Sequence, residues 1–321
     1  GRGITVDSSG NSYVTGSFEE TASFGSTSLS SVGQSDVFVV KLSSDGDWQY
    51  AVDAGGPEVD YGVGIDLDSN GNSYITGMIE GDVTFGEIET SVSWQLFVTK
   101  LSSTFQWQWV SHSHGNYGSA RVQGISVDSN ENTYITGFHQ GDVHFGSTLL
   151  PMNGDNSNPE LFVAKLSPSG SWLWAVQGGG SDFGYNGESI AVDLSGDVYV
   201  TGNFFDTATF GPTTLYGSQT DVFVVKLTSS GSWLWAVKGG GHSSGEYAKG
   251  IAVDTYGNAY VTGWYEDGAI FGSTSLDSPS GDIFVAQINP NGVWQWAIDG
   301  GGSSPIIGAQ IAIGSIGNIF V

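Results

Sequence analysis

The chain has 321 residues, 39% hydrophobic and 13% aromatic, enough for a sizeable core, and no apolar run approaches the roughly 20 residues of a membrane-spanning helix. Its net charge of −25 reflects a shortage of base, six Lys and two Arg against 33 Asp plus Glu, which argues against nucleic acid and an anionic membrane surface, as the lack of a long apolar run argues against membrane insertion. Without Cys there is neither a disulfide framework nor thiol chemistry.

The first stretch with a recognisable pattern, Gly3 to Gly16 (GITVDSSGNSYVTG), returns at Gly64 to Gly77, Gly124 to Gly137, Ser189 to Gly202 and Gly250 to Gly263, and in shortened form at Gln310 to Val321. First residues are 61, 60, 65, 61 and 60 apart, a period that marks a repeat architecture. The repeat runs throughout, so residues 1–321 read as one domain. Both ends fall inside a copy, so the sequence reads as a piece of a longer chain.

Within each copy two short runs flank a turn, as in Ser189 to Asp193 and Val198 to Thr201, and predict a β-hairpin. Gly in that turn supplies positive φ, and Asp or Asn side chains bond nearby backbone N–H groups. An aromatic-glycine pair follows (Phe24-Gly25, Phe85-Gly86, Phe145-Gly146, Phe210-Gly211, Phe271-Gly272) and predicts a small extra hairpin or excursion. A third strand comes next at Val37 to Leu42, Leu96 to Leu101, Leu161 to Leu166, Val222 to Leu227 and Ile283 to Ile288, its alternation predicting a sheet buried mainly on one face. The fourth strand carries aromatics two apart: Trp48/Tyr50, Trp107/Trp109, Trp172/Trp174, Trp233/Trp235 and Trp294/Trp296. Nine of the eleven tryptophans sit there, on one strand face, as layers between adjacent sheets or as a sugar-stacking platform. A glycine-rich crossover closes each unit.

Four antiparallel strands per unit of about 61 residues and no helical periodicity predict an all-β fold, a β-propeller of four-stranded blades, with a β-solenoid as the alternative. Six first hairpins but five third and fourth strands give five full repeats plus a partial sixth; six blade positions are favoured, with five or seven open. The shared core, Gly/Ser-Ile-x-Val-Asp-x-x-Gly-Asn/Asp-x-Tyr-Val/Ile-Thr-Gly, resembles the bacterial and archaeal SBBP repeat. That resemblance implies a β-propeller and little about activity.

Lys41, Lys100, Lys165 and Lys226 hold one position of the third strand, Gln287 in the fifth copy, and are expected to meet the Asp ending each first strand (Asp7, Asp68, Asp128, Asp193, Asp254). Asp68, Asn70 and Asn72 imitate the start of a calcium loop, but Gly stands at position four instead of six and Ile79 stands at position twelve; a hairpin turn and a calcium site both remain readings.

A unique site in a repeat protein should appear as a departure from the repeat. His112 and His114 are read as replacing crossover glycines, His139 and His144 flank the second strand's end, Arg121 lies in the same crossover, and Pro151 to Pro159 form an insertion. His-x-His can hold a metal through imidazole nitrogens, or the cluster is drift in a tolerant loop. Tyr61, Tyr117, Tyr185 and Tyr247 precede the first strands at offsets of 3, 7, 4 and 3 from the next Gly-Ile or Ser-Ile. They either stack a pyranose or cap the channel mouth.

The expected function is a non-enzymatic extracellular or cell-surface module binding glycans or proteins. The alternatives are a carbohydrate-active hydrolase or lyase with its site in repeats two and three, and a structural array of a surface protein. No cofactor is implied apart from the calcium reading.

Overall fold

A computed structural model describes residues 1–115, 119–152, 159–180, 186–241, 245–278, 281–301, 310–314 and 317–321. Five four-stranded antiparallel sheets carry the architecture. The first holds β1 (Gly3–Val6), β2 (Ser12–Phe18), β5 (Asp36–Leu42) and β6 (Trp48–Ala54), with β3 (Thr21–Phe24) and β4 (Thr27–Ser30) as a side hairpin. The second holds β7 (Tyr61–Leu67), β8 (Ser73–Phe85), β9 (Ile88–Leu101) and β10 (Trp107–His112). In the third, β11 (Ser119–Val127), β12 (Thr133–Gln140), β15 (Glu160–Leu166) and β16 (Trp172–Gly178) form the sheet, and β13 (Val143–Phe145) with β14 (Thr148–Leu150) the hairpin. The fourth is β17 (Asn186–Val192), β18 (Val198–Phe210), β19 (Thr213–Leu227) and β20 (Trp233–Gly239). The fifth is β21 (Glu246–Val253), β22 (Ala259–Tyr265), β25 (Asp282–Ile288) and β26 (Trp294–Gly300), with the hairpin β23 (Ala269–Phe271) and β24 (Thr274–Leu276). A two-stranded pair, β27 (Ala312–Ile313) and β28 (Ile319–Phe320), follows as the start of a sixth unit.

The strand order follows the chain in every sheet, the meander of a propeller blade. No helix is long and apolar enough to cross a membrane among the described residues. The residues group into two compact units, one of Gly1–Ile135, Gly141–Leu150 and Lys165–Leu173, the other of Thr136–Gln140, Pro151–Ala164 and Trp174–Val321.

The repeated motif is explained residue by residue. Its Thr is buried and donates to a third-strand carbonyl: Thr76 Oγ1 to Phe97 O at 2.7 Å, Thr201 to Phe223 O at 2.9 Å, Thr262 to Phe284 O at 2.8 Å. Each such bond adds about 1 kcal/mol, and more would be lost if the hydroxyl were buried unpaired. The Gly after it is needed for room, since a Cβ on Gly77 would run into the Tyr61 carbonyl and press Phe97.

The Phe-Gly pairs form the expected outer hairpins, as separate two-stranded sheets in blades one, three and five and as extensions of the second and third strands in blades two and four. Gly86 (φ 59°) begins a two-residue turn and lies under Trp107, while Phe85 meets that indole edge-on at 5.3 Å. The same Phe–Trp contact occurs at Phe24–Trp48, Phe145–Trp172, Phe210–Trp233 and Phe271–Trp294. The second aromatic reaches the next blade: Trp109 Nε1 donates to Pro168 O at 3.0 Å, Trp174 Nε1 to Ser229 O at 3.2 Å, and Trp235 Nε1 to Pro290 O at 3.0 Å. The spacing of two thus joins one contact within a blade to one between blades.

The third strand differs from expectation. It is buried on both faces, because Val37 and Val39 pack toward the second blade while Phe38 and Val40 pack with Phe18 and Leu29 of their own. One face meets the next blade and the other is covered by the blade's own side hairpin, so alternation separates two cores.

Candidate functional site

The Asp of the motif holds its own hairpin. Asp68 Oδ1 accepts the N–H groups of Asn70 (2.9 Å) and Asn72 (3.0 Å), and Oδ2 accepts Asn72 Nδ2–H (2.7 Å) and the Tyr74 hydroxyl (3.2 Å). Asn72 Oδ1 takes the Ser103 N–H at 3.0 Å, and Asn70 donates to Glu131 Oε1 at 2.9 Å. The calcium-like trio of Asp68, Asn70 and Asn72 is therefore bonded into the turn and its neighbours.

The expected Lys–Asp pairing is present in blades two and four: Lys100 lies 3.6 Å from Asp68, and Lys226 lies 3.5 Å from Asp193. Each has a second carboxylate that the sequence did not reveal, Glu131 at 2.8 Å and Asp197 at 3.0 Å. The ammonium also stands over the motif Tyr, at 4.9 Å for Lys41–Tyr13 and Lys100–Tyr74 and 4.7 Å for Lys165–Tyr134 and Lys226–Tyr199. Where Gln287 replaces Lys, its Nε2 donates to Tyr260 Oη at 2.7 Å.

Tyr61 and Tyr247 occupy equivalent places, as their shared offset of 3 implies: each is opposite the residue after the Thr-Gly, Met78 or Trp264. A β-bulge follows each, at Gly62/Gly64 and Ala248/Gly250, bending the strand start away from the regular ladder. Tyr247 stacks on Trp264 with centroids 4.3 Å apart and planes 17° from parallel. Tyr61 lies 6.0 Å from Trp94 and carries the Arg2 guanidinium 4.3 Å over its ring. Trp94 and Trp264 are the two tryptophans outside the fourth-strand pattern, and sequence reasoning passed over both. Their breaking of the repeat was the available signal. All four rings are half-buried, and Trp94 has positive φ (43°), a strained conformation of the kind that collects at functional positions. Tyr117 and Tyr185 lie outside the described residues, and Arg121 is exposed on β11.

A buried acid precedes each of these tyrosines on the opposite strand face. Asp60 accepts Gly56 N–H at 2.8 Å and Glu80 N–H at 2.9 Å, and Glu246 accepts Gly241 N–H at 2.9 Å. Burial pushes Asp60 up to about 6 against the pull of its hydrogen bonds. Burial, with the Asp221 charge adding, pushes Glu246 up to about 8. These carboxyls fasten the crossover beneath the aromatic pair.

The histidines fall differently from the sequence reading. His112 faces Phe97 in the ladder, as Asp53 faces Phe38 and Lys238 faces Phe223, so it replaces a charged strand residue and not a crossover glycine. His114 does replace glycine. It exchanges backbone hydrogen bonds with His144 (3.0 and 2.7 Å), as Gly55 does with Thr84, Gly179 with Thr209 and Gly240 with Ile270. The two imidazoles stack at 4.9 Å and 8°. Partial desolvation within the pair, then the neighbouring imidazoles of His144 and His112, lowers the pKa of the exposed His114. His139 is buried on β12. Among the described residues no group of three or more His, Asp or Glu side chains forms a metal-holding cluster. Most of the Pro151 to Pro159 insertion, residues 153–158, lies outside them.

Against known proteins, a model of the SBBP β-propeller repeat matches residues 1–17, 50–82 and 240–264. The chain is 23% identical to an uncharacterized WD repeat-containing protein of Acanthamoeba polyphaga mimivirus over 92% of its own length, and spans about a quarter (27%) of that relative. A solved structure of a protein of unknown function from Bacteroides caccae superposes with a TM-score of 0.42 at 9% identity, covering 85% of this chain and 93% of that one. A likeness of that size carries no argument; the fold rests on the sheets and the repeat.

Proposed function

We propose that this chain, which carries the SBBP β-propeller repeat, is a non-enzymatic binding module of the cell surface or extracellular space that takes glycans on two aromatic sites built on equivalent tyrosines, Tyr61 with Trp94 and Tyr247 with Trp264. The observation that carries the reading is that the two tryptophans departing from the blade pattern both stand beside tyrosines at the same position of different blades. A pyranose offers a C–H face that packs on an aromatic ring, and hydroxyls that neighbouring polar groups satisfy. Arg2 over Tyr61 supplies such donors at one site. Two weak sites on one chain gain by avidity on a surface of repeated sugars. The surface placement draws on the acidic, Gly- and Ser-rich composition.

The test is a glycan array read with the intact chain, followed by titration of the best ligand while tryptophan fluorescence is recorded. Trp264→Ala and Trp94→Ala are each expected to weaken multivalent binding, and the double variant to abolish it, with thermal melting unchanged by more than a few degrees. An array without hits, or hits indifferent to both substitutions, would overturn the reading.

A further inference from the structure

We propose that the cross-strand pair His114 and His144 binds one divalent transition-metal ion of the imidazole-seeking class, Cu(II) or Zn(II), at the junction of the second and third repeats. Every comparable bridge among the described residues pairs small or apolar side chains: Gly55 with Thr84, Gly179 with Thr209, Gly240 with Ile270. Only here are both partners imidazoles, placed side by side by two short backbone hydrogen bonds and stacked at 4.9 Å with planes 8° apart. His114 is exposed and His144 half-buried, so an ion reaches the pair from solvent. Two nitrogens bound to one tetrahedral zinc stand roughly 3.3 Å apart, given bonds of about 2.0 Å, so binding requires the rings to tilt out of the parallel stack and aim one nitrogen each at a shared point. Neutral imidazole suits zinc and copper, and copper binds the tighter of the two by the usual order of divalent ions. With two protein ligands the remaining positions belong to water. His112 stands apart from the pair in role: its Nδ1 donates to the Ser113 carbonyl at 3.0 Å, and its strand position is held by Asp53, Lys238 and Asp299 in three other blades and by Gln177 in the third blade.

The repeat itself provides variants that the fold tolerates. His114→Gly and His144→Thr install the residues of the other bridges and keep the backbone bonds. Calorimetric titration of the intact chain with Cu(II)–glycine and with zinc chloride is expected to show one ion per chain, with imidazole nitrogen couplings in the copper EPR spectrum. His144→Thr and His114→Gly should each weaken copper binding by about tenfold or more. His112→Asp should leave it within about twofold, whereas the His-x-His reading of the sequence expects a loss with His112→Asp and none with His144→Thr. Absence of binding in the wild type, or equal affinity in His144→Thr at unchanged melting temperature, would overturn the proposal.

Discussion

Two departures from the repeat show how a single residue trades strain for contact. The turn between third and fourth strands normally has Gly at positive φ, as at Gly46, Gly170, Gly231 and Gly292, but the second blade puts Phe105 there at φ 60°. A left-handed conformation costs an L-residue about 1–2 kcal/mol. Phe105 compensates by burying its ring, 6% exposed, in a parallel stack on Tyr50 at 4.5 Å. Burying a Phe contributes about 1.5–3 kcal/mol, so packing outweighs strain. Phe105→Gly is therefore expected to destabilise by about 1–2 kcal/mol despite restoring the usual turn residue, the Gly adding its own entropy cost. Urea denaturation monitored by fluorescence measures it, and an unchanged or raised midpoint would refute the assignment. Glu131, also at positive φ (64°), holds Lys100 at 2.8 Å in the same spirit. Departures from a repeat thus mark blade joints as well as sites, and sequence alone does not separate the two.

At the scale of the strand and hairpin, most of the fold was legible, because the period-two aromatics, the turn glycines and the Lys–Asp correspondence are local or recur in step. What was not legible depends on register across strands. Trp94 lies far along the chain from Tyr61, and only the pairing of β7 with β8 and β8 with β9 brings them together. The second carboxylates on Lys100 and Lys226 arise similarly, one from the next repeat and one from the turn itself. The hairpin constellation makes its own prediction through Gln287, which satisfies Tyr260 without a charge. Lys226→Gln should keep a bond to Tyr199, but Asp197 stands where blade five has Asn258, so two carboxylates lose their counter-charge and the cost should be about 3 kcal/mol. Lys226→Met should cost about 1 kcal/mol more, since it loses the hydrogen bond as well as the charge. A loss of about 1 kcal/mol or less in Lys226→Gln, measured as thermal melting, would mean that the ammonium acts through its hydrogen bonding and not through its charge.

For the molecule as a whole, the buried acids and the net charge of −25 set the pH of greatest stability. Asp60 and Asp66 are pushed up to about 6 and Glu246 up to about 8, in each case chiefly by burial. An acid whose folded pKa is raised contributes stability fully present below its unfolded value near 4, and that contribution is lost as pH climbs through the folded value. Each pH unit within the window costs about 1.4 kcal/mol per group. Asp7 and Asp254 oppose the trend at the acid end: burial works against their charge, but hydrogen bonds led by Asn11 and Asn258 overcome it and hold both below the ordinary carboxylate range. Their contribution is present above about 4 and fails as pH falls through their folded values. Stability should therefore peak near pH 4 and decline toward pH 8, where self-repulsion grows as well and added salt restores part of the loss by screening. Glu246→Gln keeps an oxygen for the Gly241 N–H but cannot ionise, so it should flatten the decline between pH 6 and 8 and remove about a third of the fall from 5 to 6, the rest of which belongs to Asp60 and Asp66. Melting temperatures recorded every half unit from pH 4 to 9, at low and high salt, would decide it. A melting temperature that rises from pH 5 to 8 would show that these carboxyls are ionised in the folded chain at the acid end of the range.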